Sequence, residues 1–345
     1  MIKVFIDPRT RISYASYYIY GLYKIYGKKN VGFSMKYFKD LIQKNGLDDF
    51  DQYFAFVTIE NNIIIKRIVI DYRDKNSINY VALDWCDSYG KVNFNSNTEE
   101  FEKLSDPLKT RILAIGPNFG IKIWNSLETI QMLIVNFIKA KSYLPIGFRS
   151  FLAGYNWQIK RMPYSHYLVS ETTQNYVFFI SSLYYDNDEY RSNTNKNRAA
   201  YVKACKNIEK LHFEGGLLAA NNHPNKKLYK DILTPNYIQP EDYLKKIRKS
   251  AIVFNTPAIW GCHGWKLGEF LAMGKAMISM PLLNDMPFPF EHGKHVHFVN
   301  SYKEIDFAVH KILNDNSYRK QLEVGAMYYF ENYLTPEKVI KRLTD

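Results

Sequence analysis

Residues 261–280 read GCHGWKLGEFLAMGKAMISM, and this stretch decides the fold. Leu267, Phe270 and Leu271 have the i, i+3, i+4 spacing of a helix with one buried face. Gly274 follows where a helix commonly ends, and AMISM then has the composition of a buried strand. The stretch therefore predicts a loop, a helix and a strand in succession, as in an α/β protein.

Apolar strand-like runs alternate with helical patterns along the rest of the 345 residues. The predicted strands are 2–6, 31–35, 54–59, 62–70, 80–85, 111–116, 176–185, 215–220, 251–255, 276–280 and 296–299. The predicted helices are 13–26, 126–141 (with Ser126 as N-cap), 196–211, 241–249, 302–313, 315–332 and 336–343. The periodicity fades between 144 and 166, which places a domain boundary there.

The composition restricts the class of partner. The net charge of +12 favours anionic partners. There is no compact basic run and no aromatic RNA-binding signature, so nucleic acid is not expected. Three widely separated cysteines favour a reducing compartment. No apolar run is long enough to span a membrane. We expect a cytoplasmic protein or, as an alternative, one attached peripherally at the inner face of the plasma membrane.

The start of the helix near residue 265 suits a nucleoside diphosphate. Its first backbone N–H groups carry partial positive charge, and Lys266 adds a cation, which together favour an anion. Glu269, one turn further on, could accept hydrogen bonds from the two hydroxyls of a ribose. The alternative is an exposed i,i+3 pair that contributes roughly a few tenths of a kcal/mol. The spacing alone does not choose between them.

Residues 250–345 resemble the donor-binding half of GT-B glycosyltransferases, especially the retaining group 1 family and its bacterial surface-polysaccharide members. GEFLAMGKAMISM matches the family's E-A-hydrophobic-A-x-G-x-P-V run, with Glu269 in the place of the ribose-binding glutamate. EHGKHVHFV resembles its G-x-x-G-hydrophobic segment, and DNSYRKQL its D-x-x-x-R-x-x-L pattern. The family has another glutamate where this chain has Gly261, so His263 and Trp265 become candidates for the sugar contact.

This resemblance implies a GT-B fold, with two Rossmann-like α/β domains facing each other across a cleft. An N-terminal, acceptor-side domain would cover 1–155, with the C-terminal helix at 333–345 crossing back to it. A donor-binding domain would cover 160–332. In such sheets ligands bind at the carboxyl ends of the strands.

The predicted donor site therefore combines the residues that follow strands of the second domain with the helix start. Its candidates are Ser182, Arg198, Asn255, Pro257, His263, Gly264, Trp265, Lys266 and Glu269. Arg198 is the candidate diphosphate ligand because a guanidinium can bind phosphate through two hydrogen bonds. A solvated arginine in the first turn of a helix is the alternative.

The candidate catalytic carboxylates are Asp7, which follows the first strand, and Glu269. The first domain has no histidine before His166, so a histidine base is not expected there. For Asp7, an Asp-Pro turn is the structural alternative. Arg11, Asp84 and Asn118 are the acceptor-side candidates, each expected close to the end of a strand.

Two polar clusters could suggest a metal ion. The acidic run DND (186–188) lies among Asn and Ser residues, where turn chemistry explains it. His292, His295 and His297 are accompanied by no second cluster that would complete a site. We predict no metal and no cofactor.

Together these features predict a metal-independent, hexosyltransferase-like enzyme of class EC 2.4. It would transfer a sugar from a UDP- or GDP-linked donor to a saccharide or lipid-linked acceptor in the biosynthesis of a surface glycan such as capsule, lipopolysaccharide or exopolysaccharide. The alternatives are a nucleotide-sugar epimerase or hydrolase of the same fold, and a non-catalytic protein that binds a nucleotide or a glycan.

Overall fold

The computed structural model describes residues 1–42, 53–144, 147–168, 171–235 and 237–345. The chain forms two compact units. Unit 1 comprises Met1–Tyr164, Asn284–Phe288 and Asn332–Asp345, and unit 2 comprises Ser165–Leu283 and Pro289–Glu331. The first break falls after Tyr164, inside the segment where periodicity fades. Pro145 and Ile146 of that segment lie outside the described residues.

Unit 1 is built on a six-stranded sheet. Its elements, numbered along the whole chain, are β1 (Lys3–Ile6), α1 (Ile12–Tyr26), β2 (Val31–Phe33), β3 (Tyr53–Glu60), β4 (Ile63–Asp71), α2 (Tyr80–Trp85), β5 (Ser88–Lys91), α3 (Glu99–Glu102), α4 (Asp106–Lys109), β6 (Ile112–Ala114), α5 (Ser126–Ala140), α6 (Phe148–Ile159) and α12 (Pro336–Thr344). The strand order is β2-β1-β3-β4-β5-β6. All strands are parallel except β3, which pairs antiparallel with both β1 and β4. Five strands therefore end at one edge.

The helices of unit 1 pack in a way that depends on one glycine. α1 packs against α6 and α12. At Gly21 of α1 a Cβ atom would lie 2.4 Å from the carbonyl oxygen of Pro336, the first residue of α12. Only a residue without a side chain permits this approach, so Gly21 fixes the packing of α12 on α1.

Two predictions of local structure in unit 1 are wrong. Residues 80–85 form α2 and not a strand, because the Asn79 side chain accepts a hydrogen bond from the Ala82 amide (3.2 Å) and caps a short helix. The N-cap of α5 is Asn125 and not Ser126, since the Asn125 side chain accepts a hydrogen bond from the Glu128 amide at 2.9 Å.

Unit 2 contains parallel strands followed by helices. Its elements are β7 (Tyr176–Ser182), α7 (Glu189–Lys206), β8 (His212–Leu218), α8 (Pro240–Lys249), β9 (Val253–Asn255), α9 (Trp265–Ala272), β10 (Met277–Ser279), β11 (His297–Phe298), α10 (Ile305–Asn314) and α11 (Asn316–Tyr329). β7 pairs with β8, and β10 pairs with β9 and β11, all in parallel. Just before β9, the Ala251 amide donates to the Tyr176 carbonyl of β7 at 2.8 Å.

The predicted α/β class is confirmed by these parallel sheets. The predicted helix end at Gly274 is also confirmed: α9 ends at Ala272, and Gly274 has φ +59°, which glycine adopts without strain. In the described residues no helix is both long enough and apolar enough to cross a membrane.

Candidate functional site

A cavity of about 350 Å³ opens in unit 2. It lies where β7, β8 and β9 end and where α9 begins. Its walls are residues 179–182, 254–256 and 264–266, together with Tyr184, Arg198, Leu218 and Ala258. The carboxyl ends of parallel strands are the usual place for a ligand in an α/β sheet. This cavity is therefore the first candidate for a binding site.

Arg198 of α7 is a buried wall of the cavity, and three groups orient it. Its Nη1 donates to the Ser182 carbonyl at 2.7 Å, and its Nε donates to Thr256 Oγ1 at 3.1 Å. Its Nη2 donates to the Tyr184 hydroxyl at 3.2 Å, and its guanidinium lies 4.3 Å from the centre of the Tyr184 ring. The arginine is thus not the solvated first-turn residue that the sequence left open as an alternative.

Lys266, in the first turn of α9, is the second cation of the cavity. Its Nζ donates to the Ile180 carbonyl at the end of β7. Burial and the nearby Arg198 guanidinium together lower the pKa of Lys266 to about 8, although attraction to Glu269 partly opposes this shift. The lysine therefore occupies a position where its charge is unfavourable until an anion arrives.

The described wall of the cavity carries two cations and no carboxylate, although Glu269 lies near enough to attract Lys266. No carboxylate of the described part of the chain forms a salt bridge with Arg198 or Lys266. Gly264, the N-cap of α9, has no side-chain cap, and the helix begins at the cavity wall with its partially positive end. Two cations and a helix start on one wall favour a ligand that carries negative charge.

The polar residues at the strand ends complete this wall. Asn255 lines the cavity at the end of β9 and donates from its side chain to Ser279 Oγ at 2.9 Å. Ser182 and Trp265 also line it. Tyr184 and Thr256 were missed by the sequence analysis, although Tyr184 lies near the end of the predicted strand 176–185 and Thr256 directly follows the predicted strand 251–255.

Three of the predicted donor-site residues are absent from the described wall of the cavity. Glu269 is buried, and its Oε2 accepts a hydrogen bond from the Tyr243 hydroxyl of α8 at 3.1 Å. Burial and the nearby Glu269 charge raise the pKa of Tyr243, so this phenol stays protonated as the donor. Pro257 and His263 are buried in the loop between β9 and α9.

Gly261, where the sequence resemblance would place a second glutamate, has a backbone conformation that favours glycine. Its φ is +72°, which strains any residue with a side chain. A Cβ at this position would also lie 2.5 Å from Cδ1 of Leu283, which would have to shift. The next residue back, Trp260, also has a positive φ of 58° and is 62% exposed. A glutamate at 261 would therefore be strained in this turn.

In unit 1, Asp7 forms an ion pair within its own turn. Its carboxylate accepts hydrogen bonds from the Arg9 amide (2.9 Å) and from Arg9 Nε and Nη2 (3.0 and 2.6 Å). Both side chains are buried. The same arrangement recurs at the end of β4, where Asp71 pairs with Arg73. This repeated D-x-R turn favours a structural role for Asp7, in line with the structural alternative.

Arg11 and Asn118 both lie next to Tyr14, in the first turn of α1. The Asn118 side chain donates to the Tyr14 carbonyl at 3.4 Å, and the Arg11 guanidinium lies 4.8 Å from the Tyr14 ring centre. Tyr14 in turn stacks on Tyr72, which follows β4, with ring centres 5.6 Å apart. The structure thus brings two of the three acceptor-side candidates together beside an aromatic pair.

Asp84 is a correction. It was predicted to follow a strand, but it is an exposed residue near the end of α2. The helix is followed by Asp87, whose carboxylate accepts a hydrogen bond from the Arg67 amide in the middle of β4 at 2.7 Å, and then by β5, which begins at Ser88. Asp84 therefore lies at the edge where the parallel strands begin, opposite the carboxyl edge, and we remove it from the acceptor side.

The polar clusters that could have suggested a metal have other partners. Asp188 caps α7, and Asp186 accepts hydrogen bonds from the side chains of Asn195 (2.7 Å) and Asn225 (2.5 Å). His297 Nδ1 is 2.8 Å from the Tyr318 hydroxyl. Within the described ranges, no group of three or more His, Cys, Asp or Glu side chains could hold a metal ion.

Neither a protein-family model nor a curated protein matches this chain. Solved glycosyltransferase structures do. The C-terminal domain of a glycosyl transferase group 1 family protein from Francisella tularensis is 10% identical, with a TM-score of 0.37, over 49% of this chain and 96% of that one.

Two longer structures are also similar. A glycosyltransferase from Rickettsia africae is 11% identical, with a TM-score of 0.41, over 77% of this chain and 63% of that one. The pneumococcal O-GlcNAc transferase GtfA, solved with UDP and GlcNAc, is 11% identical, with a TM-score of 0.36, over 87% of this chain and 65% of that one. This chain thus spans less than two thirds of each. What it binds has to be argued from its own pocket.

Proposed function

We propose that the cavity of unit 2 binds the diphosphate of a nucleotide sugar and that the protein is a glycosyltransferase. The observation that carries this proposal is the convergence of Arg198 and Lys266 on one wall, beside the start of α9. In the described residues neither cation forms a salt bridge, and the attraction of Glu269 only partly offsets the lowered pKa of Lys266. The cavity volume of about 350 Å³ is within the range of small-molecule sites.

In the proposed reaction the bond between the anomeric carbon and the diphosphate oxygen breaks, and its electron pair remains on the diphosphate. The acceptor hydroxyl oxygen forms the new bond to that carbon and releases its proton to a base. Arg198, Lys266 and the first amides of α9 would stabilise the charge that develops on the leaving diphosphate. Because hydrogen bonds to Ser182, Thr256 and Tyr184 already orient Arg198, little reorganisation is needed during the reaction.

We propose that the reaction needs no metal ion and no other cofactor, because two fixed cations can supply the charge that Mg²⁺ supplies elsewhere. The donor would be UDP- or GDP-linked. Glu269 remains the candidate ribose ligand through the resemblance. To take that role, its carboxylate would have to accept hydrogen bonds from the ribose. It would either keep the hydrogen bond from the Tyr243 hydroxyl at the same time or release it first.

For the acceptor we propose a saccharide or a lipid-linked saccharide, used in surface-glycan assembly by a cytoplasmic enzyme associated peripherally with the membrane. The support lies at the carboxyl edge of the unit 1 sheet. The half-buried Tyr14 stacks there on the buried Tyr72, and Arg11 and Asn118 lie next to Tyr14. Aromatic faces combined with hydrogen-bonding side chains are suited to a sugar ring.

The first test is calorimetric binding of UDP and GDP, with Mg²⁺ and with EDTA. Wild type should bind one of the two nucleotides, with the same affinity in Mg²⁺ as in EDTA. Arg198→Gln and Lys266→Gln should each weaken binding by about tenfold to a hundredfold, as loss of a charged hydrogen bond implies. Lys196→Gln is the matched control, because Lys196 is an exposed cation of the same helix as Arg198. Circular dichroism would verify folding.

Binding by neither nucleotide, or equal binding by the two pocket variants and the control, would contradict the donor site. Turnover of the nucleotide sugar without an acceptor would identify an epimerase or a hydrolase. Binding without turnover across a panel of acceptors would identify a binding protein. Comparing UDP with its 2′-deoxy form tests Glu269: Glu269→Gln should abolish the preference for the ribose, and Tyr243→Phe should retain it.

A further inference from the structure

Helix α5 of unit 1 has its polarity reversed. Its buried side consists of Thr129, Leu133, Asn136 and Ala140, only one of which is a large apolar residue. This side contacts α6 through hydrogen bonds: Asn136 Nδ2 donates to the Tyr155 hydroxyl at 3.0 Å, and Thr129 Oγ1 lies 3.3 Å from a Gln158 oxygen. In the last turn, the Phe137 ring also packs on Phe148 and Phe151 of α6, with ring centres 4.8 and 5.9 Å apart. Hydrogen bonds and one aromatic cluster thus hold α5 on the unit.

The opposite side of α5 is exposed and aliphatic. Leu127, Ile130, Ile134 and Ile138 are 81%, 51%, 54% and 61% exposed. Their spacing of three, four and four residues places them in one stripe, about 16 Å long at the rise of an α-helix. A helix of a globular protein normally turns such a stripe towards the core. Single exposed isoleucines are common on protein surfaces, whereas a contiguous exposed apolar stripe indicates an interaction surface.

The segment that contains the stripe is basic. Residues 121–164 contain six lysines and arginines against one acidic residue, Glu128. Glu128 forms an ion pair with Lys28, so its charge is already balanced. Lys141 and Arg149 are exposed, and the Phe148 ring lies 4.8 Å from the Phe137 ring in the last turn of α5. Exposed cations and an aromatic ring thus lie near the C-terminal end of the stripe.

We propose that the aliphatic stripe of α5, with Lys141 and Arg149 beside it, docks unit 1 on an anionic lipid surface. Aliphatic side chains of an amphipathic helix enter the boundary between lipid headgroups and acyl chains, and nearby cations bind anionic headgroups. A second copy of the chain suits this surface less well, because a two-fold interface uses the same basic segment of both copies, and its one acidic residue, Glu128, is already paired with Lys28. This proposal rests on the proposed function in one respect: it identifies the surface through which the proposed membrane association would occur. Its evidence comes from α5 and not from the pocket.

The test is co-sedimentation with vesicles of phosphatidylcholine, with and without phosphatidylglycerol. Wild type should bind the anionic vesicles and lose binding in high salt. Ile130→Gln combined with Ile134→Gln should weaken binding by about tenfold or more, since two exposed aliphatic groups no longer enter the lipid. Ile63→Gln combined with Ile65→Gln is the matched control, because these isoleucines of β4 are 70% and 52% exposed. Lys141→Gln combined with Arg149→Gln should remove the preference for phosphatidylglycerol.

Absence of vesicle binding by wild type, or equal binding by the α5 variant and the β4 control, would overturn the proposal. A dimer of wild type that becomes a monomer in the α5 variant, measured by light scattering, would also overturn it and make a second copy the occupant. UDP and GDP binding is measured on the same samples. If the α5 variant no longer binds vesicles but still binds the nucleotide, this surface is separate from the donor site. If the variant binds neither vesicles nor nucleotide and is also less thermally stable, a separate role for this surface is refuted.

Discussion

Lys275, in the stretch that decides the fold, lowers the stability of unit 2 at neutral pH. It follows Gly274 between α9 and β10, and its side chain is fully buried. Its Nζ donates to Thr172 Oγ1 at 2.9 Å and to the Arg248 carbonyl at 2.8 Å, both of which are neutral. Burial lowers the pKa of Lys275 to about 7, and attraction to Glu323 only partly opposes this shift. Lys275→Met should therefore stabilise the protein.

The size of the effect depends on pH. Between about 7 and the ordinary lysine value of 10.5, the unfolded chain holds a proton on Lys275 that the folded chain has lost. The free energy of unfolding of wild type therefore rises with pH across this window. At about 1.4 kcal/mol per pKa unit, the buried charge of Lys275 lowers the free energy of unfolding by at most about 5 kcal/mol below pH 7. Methionine removes this cost but also removes two hydrogen bonds of about 1 kcal/mol each.

We expect Lys275→Met to be about 2 kcal/mol more stable than wild type near pH 7, and equally stable or less stable near pH 10. Urea unfolding at several pH values measures this difference. Hydrogen exchange of peptides from β9 and β10 assigns it to unit 2. Lys320→Met, at an exposed position of α11, should change neither quantity. A difference that does not vary with pH, or a variant less stable than wild type near pH 7, would refute the reasoning.

Two further predictions concern the pocket and unit 1. The pKa of Lys266 is lowered to about 8, and a bound diphosphate would raise it, so affinity for the diphosphate should fall by up to about tenfold per pH unit above pH 8. Lys266→Arg stays charged, so its affinity measured by calorimetry should not vary with pH in this range. The same pH dependence of affinity in wild type and in Lys266→Arg would contradict the prediction. Gly21→Ala places a Cβ 2.4 Å from the Pro336 carbonyl oxygen and should lower the free energy of unfolding by about 1–3 kcal/mol or more. Gly147→Ala, where no atom lies within 4 Å of the added Cβ, should cost less than about 1 kcal/mol in the same urea titration, and equal costs would contradict the packing argument.

The sequence predicts element type well where the apolar period is long. Helices α1, α5 and α8 begin and end within about two residues of the prediction, as is usual for well-patterned segments. Residues 80–85 failed because a six-residue apolar run has no clear period, and the deciding interaction is the cap supplied by Asn79. The reversed face of α5 could not be predicted either. Its apolar stripe is visible in the sequence, but the hydrogen-bonding and aromatic contacts that hold the opposite side of the helix come from α6.

The sequence predicted those residues of the candidate site that lie at the ends of strands or at the start of a helix. Ser182, Asn255 and the start of α9 were selected because they follow strands or begin a helix, and all line the cavity. The partners that orient Arg198 were not predictable, because Tyr184 and Thr256 lie 14 and 58 residues from it in sequence. The same holds for Asp71, whose buried partner Lys91 comes from the neighbouring strand β5.

The charged residues between 261 and 280 show why spacing alone could not define the site. Lys266 donates to the end of β7 in the cavity wall, Glu269 contacts Tyr243 of α8, and Lys275 donates to the last turn of α8. Three charges that are close in sequence thus meet three different partners, and only Lys266 lies in the cavity wall. Because the Glu269 carboxylate accepts from Tyr243, it forms no salt bridge with Lys266 or Arg198 in the described part of the chain and offsets the lowered pKa of Lys266 only in part. The excess positive charge that makes the cavity suited to a diphosphate therefore depends on the direction in which Glu269 points.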